Sequence, residues 1–147
     1  MRNVLESAAR AFAAAEHIRS VHAGEWVPLH DDAGRVLSGI RGKSGAAGMT
    51  ISGIEIGADL IEMQPGTAFP LHVHPGDHIL YVLAGPGLVH IDGTDHVMNT
   101  GDTVFIPADY PHGVKTCGVE LVFLAVGYPH KHVSSMDRMK VVQDANS

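Results

Sequence analysis

The chain has 147 residues, with 16 acidic residues against 10 Lys and Arg residues and a formal net charge of −6. This length fits one folded domain, and the acidic balance leaves no broad basic surface, so we expect no nucleic-acid partner. The apolar runs are far shorter than the roughly 20 residues that cross a bilayer. Charged residues at Glu6, Arg10 and Glu16 break up any apolar export segment, so we expect a cytoplasmic protein without a membrane partner.

The N-terminal stretch has a helical pattern. Apolar residues recur three or four positions apart, which places them on one side of a helix: Leu5, Ala8, Phe12 and Ala15. Asn3 followed by Glu6 has the spacing of a helix N-cap with a reciprocal acidic residue. We therefore predict a helix from Asn3 to about Ser20, within an N-terminal unit of residues 1–22 that packs on the rest of the chain or on a partner subunit.

The middle of the chain has the pattern of short strands. Between residues 23 and 128, β-branched and aliphatic segments alternate with Gly, Pro and Asp, which predicts an antiparallel sandwich or barrel. The stretch from Lys43 to Gly48, rich in small residues, is expected to be a loop. Residues 129–147 are polar and are expected to form a C-terminal tail that packs on the barrel or on a partner subunit.

Four of the eleven histidines have a spacing that suits metal binding. His72 and His74 are two residues apart, so on a strand their side chains point to the same face. The residues 75–77 form a predicted turn, after which His78 opens an apolar strand and can face back toward the pair. His112, on a later strand, can supply a fourth imidazole. Neutral imidazoles bind divalent transition metals such as Zn, Fe and their neighbours, so we predict a metal centre here.

Other polar residues near these histidines have alternative interpretations. Asp77 would replace His78 as a ligand if the turn were shifted by one residue, but strand parity favours His78 and a surface position for Asp77. His130 and His132 repeat the two-residue spacing. They follow the last predicted strand, so we expect them in a solvated tail and not in a second metal site.

Two longer segments resemble the sequence motifs of the cupin superfamily. Gly66 to Gly85 holds glycine, five residues, His-x-His, three residues, His78, six residues and glycine, and Gly101 to Thr116 resembles the second motif. His78 stands where that family usually has a metal-binding glutamate, a pattern similar to the smaller, manganese-type group of four-histidine cupins. The resemblance implies an all-β fold: a single-domain cupin, a double-stranded β-helix or jelly-roll barrel, over residues 23–128 with an N-terminal α-helix.

The resemblance also implies a function. It indicates a metal-dependent enzyme, an oxygenase of a small enolate- or catechol-like molecule, with Mn or Fe favoured and Ni, Cu or Zn as alternatives. A binding or sensing protein without turnover, and a metal-dependent lyase or isomerase, are the alternative functions. Tyr110, beside His112, is a candidate proton donor, with packing as its alternative role. The candidate pocket wall is Met63, Leu80, Val82 and Phe123.

A second copy of the chain is the expected partner. Edge strands of such a barrel invite pairing with another chain, and the N-terminal helix is more than a minimal barrel requires. We therefore expect a homodimer.

Overall fold

The structure, a computed structural model, describes residues 11–142. Residues 3–10 of the predicted helix lie outside this part, and the described remainder holds one short helix, α1, over Ala14–His17. The strands of the described residues are β1 (Val27–His30), β2 (Val36–Met49), β3 (Glu55–Met63), β4 (His72–Val73), β5 (Asp77–Ala84), β6 (Gly87–Ile91), β7 (Thr94–Met98), β8 (Thr103–Ile106), β9 (His112–Thr116), β10 (Leu121–Tyr128) and β11 (Lys140–Val141). Over residues 11–142, no helix is long and apolar enough to cross a membrane.

The strands form two antiparallel sheets. The first has the order β1-β2-β3-β10-β5-β8, and the second has the order β11-β4-β9-β6-β7. Strand β10 shows how the core forms, because Leu121, Phe123 and Ala125 are buried while the residues between them are half-buried. Because burial alternates with every second residue, one face of the strand points toward the opposite sheet. The prediction of an all-β antiparallel barrel is confirmed.

The expectation of a loop from Lys43 to Gly48 is wrong, because these residues belong to β2. A Cβ added at Gly45 would lie 2.8 Å from the carbonyl oxygen of Ala58, so glycine permits close approach of β2 to β3. The pairing between these strands is irregular between Ser44 and Ala47. Small residues here mark close strand contact and a bulge rather than a turn.

The C-terminal segment that follows β10 packs on the barrel. Val133 and Met139 are buried in the hydrophobic core. Strand β11 pairs with β4, which places Val141 opposite His72. Residues 129–142 therefore lie beside the predicted metal centre. Contact of this segment with a partner subunit stays a prediction.

One outer face of the first sheet carries exposed apolar side chains. On β5, Ile79, Tyr81 and Leu83 alternate with buried residues, and each is more than two-fifths exposed. Phe105 on the neighbouring β8 pairs with Ile79 and is 61% exposed. These four residues define the β5–β8 face. The expectation of a homodimer stays a prediction.

Candidate metal centre

Three of the four histidines predicted to be metal ligands lie close together in the barrel. His72 on β4 pairs with His112 on β9, so neighbouring strands hold the two rings side by side with centroids 4.3 Å apart. His74 follows two residues after His72, and its Nε2 lies 3.2 Å from Nε2 of His112. One ring nitrogen from each residue lies within 4.8 Å of the others, and all three residues are buried.

The main chain orients each of these three rings. Every Nδ1 lies at hydrogen-bond distance from a main-chain carbonyl oxygen, namely 2.6 Å from His72 to Pro70, 2.9 Å from His74 to Gly76 and 2.8 Å from His112 to Tyr110. A carbonyl oxygen can only accept, so each Nδ1 carries the hydrogen and donates it. Each neutral ring therefore keeps the lone pair on Nε2. Histidine ligands of metals are commonly oriented by such a bond.

Burial keeps the three imidazoles neutral. It lowers the pKa of His72 to about 3 and the pKa of His112 to about 4, and it also lowers the pKa of His74. A neighbouring imidazolium would repel a second one, which lowers the pKa of His72 further. The three side chains are therefore unprotonated near neutral pH, the form in which imidazole binds a metal.

His78 lies next to these histidines, but it is not among the three whose ring nitrogens lie within 4.8 Å of one another. Its ring stacks on the ring of His74, with centroids 3.8 Å apart and an angle of 22° between the planes. Burial lowers its pKa to about 2. Gly127 on β10 makes room for the ring, because an added Cβ would lie 2.8 Å from Nε2 of His78. A role as fourth ligand stays a prediction. Asp77 is exposed and accepts a hydrogen bond from the Ala108 amide.

The histidines open onto a small cavity with about 40 Å³ of free space. Of the four residues proposed for the pocket wall, Leu80 and Phe123 line this cavity, whereas Met63 and Val82 are fully buried in the core and are not among its lining residues. Met63 lies two residues beyond the lining residue Ile61 on the same side of β3, so parity alone cannot separate cavity wall from core. The lining residues that sequence analysis did not identify are Ile61, Phe69, Ile106, Val114, Ala125, Arg138 and Met139.

Tyr110 contacts the centre through its main chain. Its carbonyl oxygen accepts the hydrogen bond of His112, while its hydroxyl donates to Asp92 at 2.6 Å. The Asp92 carboxylate raises the pKa of the Tyr110 hydroxyl, and Tyr110 is not a lining residue of the cavity. The structure thus gives Tyr110 a positioning role. Its action as a proton donor stays a prediction.

The expectation that His130 lies in a solvated tail is wrong. Its side chain is 7% exposed and bridges two carboxylates, with Nε2 2.9 Å from Asp59 and Nδ1 2.8 Å from Glu55. The Asp59 carboxylate, followed by that of Glu55, raises the pKa of His130. A Cβ added at Gly57 would lie 2.5 Å from the His130 ring, so a strand glycine accommodates this histidine. His132, in contrast, is exposed.

Residues 59–127 match the sequence profile described as "Cupin domain". The chain is 35% identical over 68 residues to an oxalate-binding protein of Thermotoga maritima, covering 45% of this chain and 56% of the relative. It is 32% identical over 62 residues to the dimethylsulfoniopropionate lyase DddQ of Ruegeria pomeroyi, covering 42% of this chain and 31% of the lyase. The matches thus span about half the length of these relatives or less.

Solved structures agree on the fold. An RmlC-like cupin from Shewanella frigidimarina has a TM-score of 0.64 and 22% identity, covering 80% of this chain and 94% of the other. The polyketide cyclase RemF from Streptomyces resistomycificus has a TM-score of 0.64 and 19% identity, covering 86% of this chain and 84% of the other. The sequence match thus identifies residues 59–127 as a cupin domain, and the solved structures share the fold of the two packed antiparallel sheets.

Proposed function

We propose that this cupin is a metal-dependent enzyme, an oxygenase of a small enolate- or catechol-like molecule. One observation carries the proposal: three buried imidazoles donate from Nδ1 to the main chain and keep their Nε2 lone pairs close together in one cavity. Buried polar atoms ordinarily have a hydrogen-bond partner. The three Nε2 atoms carry no hydrogen, so none of them can donate a hydrogen bond to another. A metal cation would satisfy all three.

The donor set fits a divalent transition metal. Imidazole nitrogen suits Fe, Ni, Cu and Zn, whereas Ca and Mg prefer oxygen ligands. His72, His74 and His112 would hold the ion, and His78 is the proposed fourth ligand. Bound there, a divalent cation would act as a Lewis acid that favours the ionised form of an enol or catechol oxygen. Because imidazoles are neutral, no ligand charge would offset the charge of the ion. We propose Mn or Fe as the metal, since the four-histidine pattern resembles that of manganese-type cupins.

The surrounding side chains favour a small organic ligand. The free space in the cavity is about 40 Å³, so only a compact ligand would fit beside the histidines. Its wall is largely apolar, and Phe69, Leu80 and Phe123 would exclude water from the part of the ligand that does not reach the histidines. The chain's own contribution is therefore to bind and orient the ligand and to keep the imidazoles neutral.

A metal-dependent lyase is the second candidate. One matched relative is named as a dimethylsulfoniopropionate lyase, and another is named for binding oxalate, so a non-oxidative reaction or ligand binding alone would also suit this family. The two enzyme candidates differ in their need for dioxygen. That difference makes them separable by experiment.

The test begins with elemental analysis of protein purified without added metal. We expect about one equivalent of a transition metal in the wild type and in His96→Ala, an exposed control on β7, and none in His72→Ala. The metal-bound protein is then screened against diketones, flavonols and catechols with an oxygen electrode, and products are compared under air and under argon. Turnover only under air supports the oxygenase, and equal turnover under argon supports the lyase. Protein that neither contains nor takes up a transition metal would refute both.

A further inference from the structure

Arg138 is the one Lys or Arg side chain that lines the cavity in the described part of the chain. It lies between β10 and β11, in the segment that sequence analysis expected to be a polar tail. Its side chain is 11% exposed. The positive charge of the guanidinium lowers the pKa of His72, His74 and His78. The same charge would attract an anionic group in the cavity beside these histidines.

The hydrogen bonds of Arg138 are incomplete. Its terminal nitrogen lies 3.5 Å from Oδ2 of Asp59, at the long end of ion-pair contact. Its Nε is buried and has no hydrogen-bond partner among the described residues. A guanidinium has five N–H donors, and a buried donor without an acceptor is costly. Oδ1 of Asp59 is likewise buried without a partner, so this long contact leaves a donor and an acceptor unpaired beside a cavity that Arg138 lines.

A second cation competes for the carboxylate beside Arg138. Asp59 is 1% exposed, and its Oδ2 lies 2.9 Å from Nε2 of His130, a closer contact than it makes with Arg138. The raised pKa of His130 favours its cationic form. Asp59 thus faces two cations, and Glu55 shares His130 with it, so what Arg138 lacks is a close acceptor for its Nε and not a counter-charge in the cluster.

We propose that Arg138 binds a carboxylate of the cavity ligand and so sets its class: a small organic acid. One carboxylate meets the guanidinium, and a second oxygen-bearing group reaches His72, His74 and His112. A planar guanidinium matches the two oxygens of a carboxylate with parallel hydrogen bonds, which neither an apolar wall nor a neutral imidazole provides. This inference rests on the proposed function in placing the ligand's other end at the metal centre. Arg138 is then the specificity-determining residue.

The alternative role for Arg138 is purely structural, as an anchor of the C-terminal segment through Asp59. The test separates the two roles with two probes that both chelate metals through oxygen. Oxalate carries carboxylates, and catechol carries none. Each is titrated calorimetrically into manganese-loaded wild type, Arg138→Gln, Arg138→Lys and the control Arg35→Gln. Arg35 also pairs with an aspartate, but its side chain is 77% exposed.

We expect Arg138→Gln to weaken oxalate binding at least tenfold and to change catechol binding less than twofold, with metal content unchanged. Arg138→Lys, which keeps the charge and the long stem but loses the planar fork, should also weaken oxalate binding several-fold. Arg35→Gln should alter neither affinity. A twofold or smaller change in oxalate affinity in both Arg138 variants, an equal loss of both probes, or a wild type that does not bind oxalate would overturn the proposal.

The experiment distinguishes failure of the proposed metal centre from failure of the proposed carboxylate site. A wild type that takes up no metal refutes the proposed function, and oxalate is then titrated into the metal-free proteins. Loss of oxalate binding in Arg138→Gln would still support the carboxylate site. Equal binding by wild type and variant would overturn it. If Arg138→Gln does not fold, as judged by its thermal transition, the lysine variant decides alone by the same comparison.

Discussion

Asp59 is the residue whose charge we expect to matter most for stability. Its carboxylate is nearly inaccessible, and Oδ2 faces both His130 and Arg138. Asp59→Asn keeps the size of the side chain and removes the charge. The variant would leave two cations close together without their shared buried counter-ion.

Removing one partner of a buried ion pair costs about 3–5 kcal/mol. His130 can relieve part of this cost by releasing its proton, whereas Arg138 cannot release one at any accessible pH. The raised pKa of His130 adds stability below its unfolded value near 6.5, and that contribution disappears as pH rises through the higher folded value. We therefore expect Asp59→Asn to lower the free energy of unfolding by about 3 kcal/mol at pH 6, and by less at pH 9.

The assay is urea unfolding of wild type and variant at pH 6 and pH 9, with Asp95→Asn as the matched control. Asp95 also pairs with a histidine and a cation, His90 and Lys115, but its side chain is 37% exposed. Such surface pairs contribute about 0–1 kcal/mol. A loss in Asp59→Asn no greater than in Asp95→Asn, or a loss that grows from pH 6 to pH 9, would refute this account of the buried charges.

Four further outcomes can be measured. His72→Ala should abolish metal binding, whereas Asp77→Ala should leave about one equivalent in elemental analysis; the reverse pattern would mean that the ligands are misassigned. Urea unfolding of metal-free protein should show stability falling as pH drops below 6.5, by roughly 1.4 kcal/mol per pH unit for each extra proton bound by the unfolded chain, since the pKa of His72 is about 3 when folded. Gly127→Ala should displace the His78 ring and weaken metal affinity about tenfold in a chelator competition if that histidine is a ligand; unchanged affinity would exclude it. Phe105→Glu on the exposed β5–β8 face should convert a homodimer to monomers in light scattering, and a monomeric wild type would contradict the expected dimer.

The histidine spacing predicted that His72, His74 and His112 come together, because the spacing on one strand is local and periodic. Two residues on one strand share a face whatever the rest of the chain does, and His112 is positioned by the direct pairing of β4 with β9. The alternation of side chains along a strand does not distinguish residues that line the cavity from residues buried in the core. Leu80 and Val82 point to the same side of β5 and both belong to the hydrophobic core, yet only Leu80 also lines the cavity.

The contribution of the C-terminal segment was beyond local reasoning. Arg138 and His130 lie in a polar stretch without periodicity, and both are held by Asp59, about seventy or more residues earlier in the chain. Such contacts depend on how the strands assemble. One signal was available: Gly57, in the middle of a strand, marks the place where the His130 ring approaches the main chain.

The main-chain hydrogen bonds of the three histidines have a consequence for redesign. Their acceptors are backbone oxygens, so a change of side chain at Pro70 or Tyr110 leaves the acceptor group itself in the chain. The side chains near the centre can therefore diversify while the imidazoles keep their direction. Gly76 is the exception, because an added Cβ would lie 2.5 Å from the Pro129 oxygen. A library that varies the cavity wall and keeps this glycine would explore new ligands beside an unchanged cluster of three histidines.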